Sequence, residues 1–177
     1  MKRILLVGII FVGLCGGFLL WRSFERSNTV AQTQRLFSNA FEADITLRSG
    51  EASLTATVGR DADGNITLTV KEPSLLSGMV IRQKGSALTV SYSNLEVPLE
   101  LQQLPASSAI GPLFRLLSGA LDELGAEVKE EADRWILQGE SENGPYTVSL
   151  DRASGRVLQV EFPLLGFTCD FSNFIKQ

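Results

Sequence analysis

The sequence predicts an α+β domain in which about eleven antiparallel strands form one strongly curved sheet, an incomplete barrel. Three observations indicate this fold. Between Ala40 and Phe171 apolar and polar residues alternate in runs of six to nine, short turns rich in Gly, Asn and Asp separate the runs, and one helical pattern at residues 107–124 interrupts them. Because alternate side chains of a strand point to opposite faces, every run has an apolar face that needs a cover.

The first 21 residues predict a separate, membrane-inserting segment. Two basic residues precede an uncharged run, residues 4–21, which as a helix would span about 27 Å and match the hydrocarbon thickness of a bilayer. Since the run continues to an interfacial Trp21, an uncleaved anchor is a better interpretation than a cleaved signal peptide. Cys15 raises the alternative of a lipid-modified N-terminus, and Leu14 directly before it argues against that alternative.

Charge on the two sides of this segment predicts its orientation. The two basic residues and the free amine before it slightly outweigh Arg22, Arg26 and Glu25 after it. This bias predicts a single-pass protein of the cell membrane with its domain on the extracytoplasmic side. We therefore divide the chain into residues 1–27, a membrane anchor or signal segment with its linker, and residues 28–177, the folded domain.

The predicted domain is acidic. Residues 28–177 contain 12 basic and 19 acidic side chains, a net charge of −7. Such a domain repels nucleic acid and anionic lipid head groups, so we expect neither as a partner of its surface. Cys169 is the one cysteine outside the membrane segment, which excludes a disulfide within the domain. Its position on an apolar strand face is typical of a small buried side chain.

The elements follow in order from residue 22. Residues 22–39 predict a linker that leads into an N-terminal helix. Three strands follow from residue 40, and the Gly-containing turns between them are so short that the strands must be antiparallel neighbours. A break with two adjacent leucines at residues 73–78 predicts a helical turn. The remaining strands are predicted at Met79–Lys84, Ala87–Ser93, Leu95–Leu101, Ala126–Glu131, Arg134–Glu140, Pro145–Asp151, Arg156–Phe162 and Phe167–Phe171.

The single long helical pattern is amphipathic, because its apolar residues recur at steps of three and four. Pro112 suits a helix start and Gly125 suits a helix end. The sequence leaves two interpretations of the apolar face open. It is either a plug that completes the core, which we favour because amphipathic helices on sheets are mostly structural, or a lid over an apolar cavity. The face comprises Ile110, Leu113, Phe114, Leu117, Ala120, Leu121 and Leu124.

One passage resembles a known family. Residues 70–81 (Val-Lys-Glu-Pro-Ser-Leu-Leu-Ser-Gly-Met-Val-Ile) are followed by a Gly85 turn and a strand at residues 88–92. This passage is similar to the strand, Pro, leucine-rich turn, Gly, strand and hairpin of the periplasmic lipoprotein carriers of the Lol type. The order of elements over residues 29–174 is similar as well. The resemblance implies an incomplete barrel, closed by helices, whose apolar concavity shelters acyl chains.

For this chain the resemblance implies a membrane-tethered, extracytoplasmic binding protein for an acyl chain, a lipid or a lipoprotein. Members of the wider half-barrel group in spore-forming bacteria look like proteins that bind a cell-wall amidase. The alternative is therefore a non-enzymatic docking or scaffold protein that recruits a cell-envelope enzyme. The residues that would line the concavity are Leu75, Leu76, Met79, Phe114, Leu117 and Leu121.

The composition argues against an enzyme. The chain has no histidine, which removes Ser-His and Cys-His pairs and the usual zinc sites. No nucleophile-elbow, dinucleotide-binding or Walker sequence occurs. The acidic turn at residues 61–65 is a poor calcium loop, since Ile66 occupies the position that requires Gly. We expect no catalytic residue, no metal and no cofactor. The acidic cluster at residues 127–133 predicts either a docking patch or a strand edge kept soluble by charge.

Overall fold

A computed structural model describes residues 39–100, 110–118, 127–141 and 144–176. These residues form eleven strands, one α-helix and two short 3-10 turns. The strands are β1 (Phe41–Ser49), β2 (Ala52–Arg60), β3 (Ile66–Glu72), β4 (Val80–Lys84), β5 (Ala87–Tyr92), β6 (Leu95–Glu100), β7 (Glu127–Glu130), β8 (Arg134–Ser141), β9 (Gly144–Asp151), β10 (Val157–Phe162) and β11 (Phe167–Lys176). The helix α1 comprises Ile110–Leu117, and the turns comprise Ser74–Leu76 and Pro163–Leu165.

All eleven strands belong to one antiparallel sheet with the order β6-β5-β4-β3-β2-β1-β11-β10-β9-β8-β7. The central pair, β1 with β11, joins the two ends of the domain, and every other pair joins strands that follow one another along the chain. Strands β2 to β6 extend from one side of this pair, and β10 to β7 extend from the other. Within the described residues β6 and β7 each pair on one side only, so the sheet is open, as the sequence predicts.

The core lies on one face of the sheet, which we call the inner face. In β1 the side chains of Phe41, Ala43, Ile45 and Leu47 are buried, and the residues between them lie on the outer face. The register carries this alternation across the sheet, so that Ile45 lies beside Phe171 of β11 and beside Ala56 of β2. The helix adds apolar side chains to the same core. Those that it buries are Leu113, Phe114, Leu116 and Leu117.

Strand β11 is longer than the predicted Phe167–Phe171, because a bulge carries it on to Lys176. At the bulge Asn173 has a left-handed backbone with φ of 50°. Its side-chain amide donates a hydrogen bond to Asp44 Oδ2 at 2.9 Å. Asn tolerates this conformation better than most residues, since its short polar side chain can bond locally. The extra length lets β11 pair with β1 from end to end.

Several predicted elements lie outside the described residues. They are the membrane segment at residues 4–21, the N-terminal helix, and the parts of the predicted central helix at residues 107–109 and 119–124. The described part of that helix, α1, has the predicted amphipathic character. In the portion of the chain that the structure describes, no helix has both the length and the hydropathy that a membrane span needs.

Candidate functional site: an open margin of the inner face

The structure places the predicted lining residues in different surroundings. Phe114 and Leu117 of α1 are fully buried in the core. Leu76 and Met79 are half-buried and pack against that core, whereas Leu75 is 78% exposed. Leu121 lies outside the described residues. The six residues therefore do not form one uniform lining, and their part in ligand binding stays a prediction.

Strand β6 leaves the inner face open. Its register with β5 pairs Tyr92 with Leu95 and Val90 with Val97. Directly paired side chains of antiparallel strands share a face, so Leu95 and Val97 belong to the inner face. They are nevertheless 70% and 49% exposed, and Tyr92 beside them is also exposed. The inner-face apolar side chains of the central strand β1 are buried, so this margin differs from the centre of the sheet.

A hydrogen bond links the exposed Leu75 to this margin. The hydroxyl of Tyr92 donates to the backbone carbonyl oxygen of Leu75 at 2.5 Å. The bond holds the 3-10 turn Ser74–Leu76 against the end of β5 and uses the polar end of the Tyr92 side chain. We call Leu75, Tyr92, Leu95 and Val97 together the open margin. Its side chains present apolar surface with no charged group among them.

Sequence reasoning identified Leu75 and missed the other three residues. A signal for them exists in the alternation of Leu95, Val97 and Leu99 with Glu96, Pro98 and Glu100. Proline within a strand favours an edge position, because it cannot donate a hydrogen bond to a neighbour. An edge strand with three apolar residues on one face predicts incomplete coverage of that face.

The opposite margin of the inner face is covered. Val128 of β7 and Leu137 of β8 are buried, and Trp135 packs against the core. The Arg152 guanidinium lies over the Trp135 ring, with 5.2 Å between its carbon and the ring centroid. The same guanidinium forms an ion pair with Glu130 at 2.5 Å. We call these five residues the closed margin.

The outer face is polar and carries a network around Asp44, near the junction of the two halves of the sheet. Asn173 donates to one carboxylate oxygen, and Lys71 at 2.5 Å and Thr57 at 3.1 Å donate to the other. These contacts, with that from Asn173 the largest cause, lower the pKa of Asp44 to about 2. A second outer-face pair joins Arg48 to Asp170. On the outer face the Asp44–Lys71 pair links β1 to β3 across β2, and the Arg48–Asp170 pair links β1 to β11.

One depression of about 350 Å³ lies at the β7–β9 end of the sheet and is wide open to solvent. Glu127, Gln138, Glu140 and Thr147 line it, and their register assigns these side chains to the outer face. Gly139, Pro145 and Tyr146 line it as well, so the lining mixes polar and apolar surface. The depression differs from the open margin in position, since it lies at the other end of the sheet.

The described groups have little of the chemistry that catalysis needs. Burial raises the pKa of the Cys169 thiol, which disfavours the reactive thiolate. A sugar-cleaving general acid needs a raised carboxyl pKa. By contrast, hydrogen bonds from neighbouring side chains are the largest cause of lowered pKa values at Asp44, Asp61, Asp133 and Asp151. Among the residues that the structure describes, no cluster of His, Cys, Asp and Glu could hold a metal ion.

Comparison with known proteins gives matches of structure. No protein-family model matches the sequence, and no curated protein matches it. An uncharacterized conserved protein from Thermus thermophilus superposes with a TM-score of 0.60 at 13% identity, over 85% of this chain and 86% of that one. A LolA superfamily protein from Nitrosomonas europaea gives 0.49 at 13% identity, over 86% and 93%. The lipoprotein LppX of Mycobacterium tuberculosis gives 0.46 at 12% identity, over 83% and 93%.

These likenesses concern the fold. At 13% identity the superposition on the Thermus protein extends over most of both chains. Shared architecture at such identity does not carry an activity with it. The fold that the resemblance implied is confirmed: one open antiparallel sheet of eleven strands with a helix packed on its apolar face.

Proposed function

We propose that this chain is a membrane-tethered, extracytoplasmic binding protein for the acyl chain of a lipid or lipoprotein, and that it acts without catalysis. The observation that carries the proposal is the open margin. Large apolar side chains that belong by register to the inner face are exposed there, whereas those of the central strand β1 are buried.

The chemistry of the margin favours an acyl chain over a polar ligand. Burying the side chain of a Leu or Val is worth about 1.5–3 kcal/mol, so covering Leu95 and Val97 would contribute substantially to binding. The nearest acidic side chains on β6, Glu96 and Glu100, alternate with them and belong to the outer face. The Tyr92 hydroxyl already donates to Leu75. An unbranched hydrocarbon needs only apolar contact, which this surface provides.

Tethering is proposed from the sequence. Residues 4–21 would anchor the chain in the cytoplasmic membrane, and residues 22–27 would link the anchor to the domain that begins at residue 28. At 3.3–3.6 Å per residue this link spans at most roughly 20 Å, which would keep the domain near the membrane surface. The domain could then take an acyl chain from the same membrane and present it nearby.

A docking protein is the second candidate, favoured by the edge position of β6: no described strand lies beyond it, and an extended segment of a cell-envelope protein could join the sheet there. The acidic cluster is a weaker docking surface than its sequence suggests. Arg134 pairs with Glu131 and Asp133, and Arg152 pairs with Glu130. The surface charge of the cluster is therefore largely compensated from within the chain.

Photo-crosslinking tests the acyl-chain proposal. The full chain in lipid nanodiscs is exposed to a fatty acid that carries a diazirine at its chain end, and labelled peptides are mapped by mass spectrometry. We expect labels on residues 87–100 in addition to those on the membrane segment. Val97→Glu should remove the labels on β5 and β6 and leave those on the membrane segment, which serve as an internal reference.

Ile175→Glu is the matched control. It introduces the same charge at an apolar side chain that is 60% exposed, but on the outer face of β11. Labelling should be unchanged in this variant. If the domain takes no label, or if the two variants behave alike, acyl binding at the open margin is wrong and the docking function becomes the better explanation.

A further inference from the structure

A polar side chain is buried on the apolar inner face. Gln83 of β4 is 7% exposed. Its register places it between Ile66 of β3 and Leu88 of β5, both of which are among the most deeply buried residues of the core. An uncharged amide at such a position requires hydrogen-bond partners, because burial removes it from water.

Of the two polar atoms of this amide, only the nitrogen has a hydrogen-bond partner among the described residues. The side-chain nitrogen donates to the carbonyl oxygen of Gly85 at 3.0 Å. A carbonyl oxygen can only accept, so the nitrogen must face Gly85 and the amide oxygen Oε1 must face away. Among the residues that the structure describes, Oε1 is fully buried and accepts no hydrogen bond. A buried acceptor without a donor is rare and costly in folded proteins.

Gln83 lies on the same half of the sheet as the open margin, two strands from β6. Gln83 pairs with Leu88, and Leu88 pairs with the half-buried Leu99 of β6. Two strand spacings, about 10 Å, therefore separate Gln83 from β6, where Val97 begins the exposed surface. A ligand that enters at the open margin and lies across β5 would reach the amide before it reached the middle of the sheet.

We propose that Gln83 Oε1 is a specificity-determining acceptor, and that the site prefers acyl ligands that carry a hydrogen-bond donor, O–H or N–H, next to the hydrocarbon chain. This inference rests on the proposed acyl binding. A ligand hydroxyl or amide would supply the donor that the described residues do not, and a ligand without one would leave the oxygen without a partner among them. The inner face thus distinguishes ligands whose hydrocarbon parts are identical.

Three ligands with the same oleoyl chain test the proposal on the full chain in nanodiscs. Monoolein offers hydroxyl donors, oleamide offers N–H donors, and methyl oleate offers none. Each competes with the diazirine fatty acid for labelling of residues 87–100. We expect monoolein, oleamide or both to displace the probe at concentrations about five-fold lower than methyl oleate, the worth of one neutral hydrogen bond. The stronger of the two identifies the donor as a hydroxyl or an amide.

Gln83→Met keeps the length of the side chain and removes the acceptor. It should weaken displacement by the favoured donor ligand about five-fold relative to the unsubstituted chain and leave methyl oleate unchanged, while Gln138→Met, the same substitution on the outer face, should leave every ligand unchanged. Because each ligand is compared between variants, its partition into the bilayer cancels. The thermal midpoint of ligand-free Gln83→Met should also rise, since a costly unpaired acceptor has gone.

The outcomes separate the two proposals. Equal potency of the three ligands on the unsubstituted chain would overturn the role of Gln83 while acyl binding stands, and this comparison needs no variant to fold. Unchanged displacement by the favoured donor ligand in Gln83→Met would overturn it as well. If no oleoyl ligand displaces the probe from residues 87–100, the proposed function itself fails.

Discussion

The inner face of the sheet ends differently at its two margins. At the closed margin Val128 and Leu137 are buried, and Trp135 lies beneath the guanidinium of Arg152. At the open margin the equivalent apolar side chains of β6 project into solvent. Both margins belong to the same sheet and each is formed by an edge strand. Incomplete closure of a barrel therefore does not by itself expose its core.

Placement of charge explains the difference. At the closed margin Glu130 lies opposite Trp135 in the register, so its carboxylate shares the inner face and can hold Arg152 over the ring. On β6 the acidic side chains occupy the alternate positions and point away from Leu95 and Val97. No long side chain of β6 can thus fold back over its own apolar residues. The inner face is therefore covered at the edge strand that has an acidic residue on that face, and it is exposed at the edge strand whose acidic residues lie on the outer face.

The largest expected effect comes from comparing the stability of two variants, Phe114→Glu in α1 and Val97→Glu on β6. A carboxylate at Phe114 would be buried without a partner, and we expect it to lower the free energy of unfolding by about 4 kcal/mol or more. The same charge at Val97 stays in water and should cost less than about 1 kcal/mol. Urea unfolding of the full chain followed by circular dichroism gives both values.

The same measurement distinguishes the two interpretations of α1. If α1 is a plug, the charge in Phe114→Glu stays buried in the core. If α1 is a lid, the helix can move away and expose the charge to water. A loss of unfolding free energy in Phe114→Glu no larger than in Val97→Glu would therefore show that α1 is a lid and that the inner face opens more widely than at β6 alone.

The second test compares Gly→Ala substitutions on the two sides of the central β1–β11 pair, at Gly139 of β8 and Gly59 of β2. A Cβ built on Gly139 of β8 would lie 2.4 Å from the Tyr146 hydroxyl and 2.5 Å from the ring carbon that bears it. Gly139→Ala must therefore displace a buried ring, and we expect a loss of about 2 kcal/mol. A Cβ on Gly59 of β2 meets no atom closer than 3.5 Å. Gly59→Ala should thus change stability by less than about 0.5 kcal/mol.

Thermal or urea unfolding compares these two variants directly. Equal effects would mean that Tyr146 moves aside easily, and the half of the sheet next to the closed margin would then be less tightly packed than its burial suggests.

Local signals in the sequence predicted most of the sheet. Alternation located the strands, and turn glycines such as Gly50 and Gly64, both with positive φ, located the hairpins. The pairing of β1 with β11 has no such signal, because its partners lie about 120 residues or more apart and only the folded chain brings them together. The bulge at Asn173, which lengthens β11, depends on that pairing and was missed with it.

The site was less predictable than the fold. Alternation assigns a residue to the inner face, but it does not tell whether another element covers that face. Leu95 and Leu137 both belong to the inner face and have opposite exposures for this reason. Gln83 was missed although Ile81 and Leu88 fix its face, because its charged neighbours Arg82 and Lys84 make the segment resemble a solvent-exposed hairpin end.

A smaller change tests what covers the closed margin. Arg152→Gln removes the cation over Trp135 and the ion pair with Glu130. Both partners of this pair are substantially exposed, so stability should fall by less than about 1 kcal/mol. The ring should nevertheless become more accessible. Acrylamide quenching of Trp135, in a chain with Trp21→Phe, should increase, whereas Arg156→Gln on the same hairpin should leave it unchanged. Equal quenching would mean that Trp135 is covered by the core and not by Arg152.

The smallest expected effect concerns the junction between the two halves. The contacts of Asp44 with Asn173, Lys71 and Thr57 hold its pKa at about 2, below the ordinary 3.8. A group whose folded pKa is depressed stabilises the protein above its unfolded pKa, and that contribution is lost as pH falls from about 4 towards 2. Because the side chain is 35% exposed, water and salt screen much of the effect.

Unfolding midpoints between pH 4 and pH 2 should therefore fall less steeply in Asp44→Asn than in the unsubstituted chain. Lys71→Met should give an intermediate slope, since it removes one of the causes and leaves the amide of Asn173 in place. A slope in Asp44→Asn equal to that of the unsubstituted chain would mean that the outer-face network does not stabilise the junction. The two margins would then be held in register by the β1–β11 ladder and the apolar core alone, and acid would be expected to loosen both margins together.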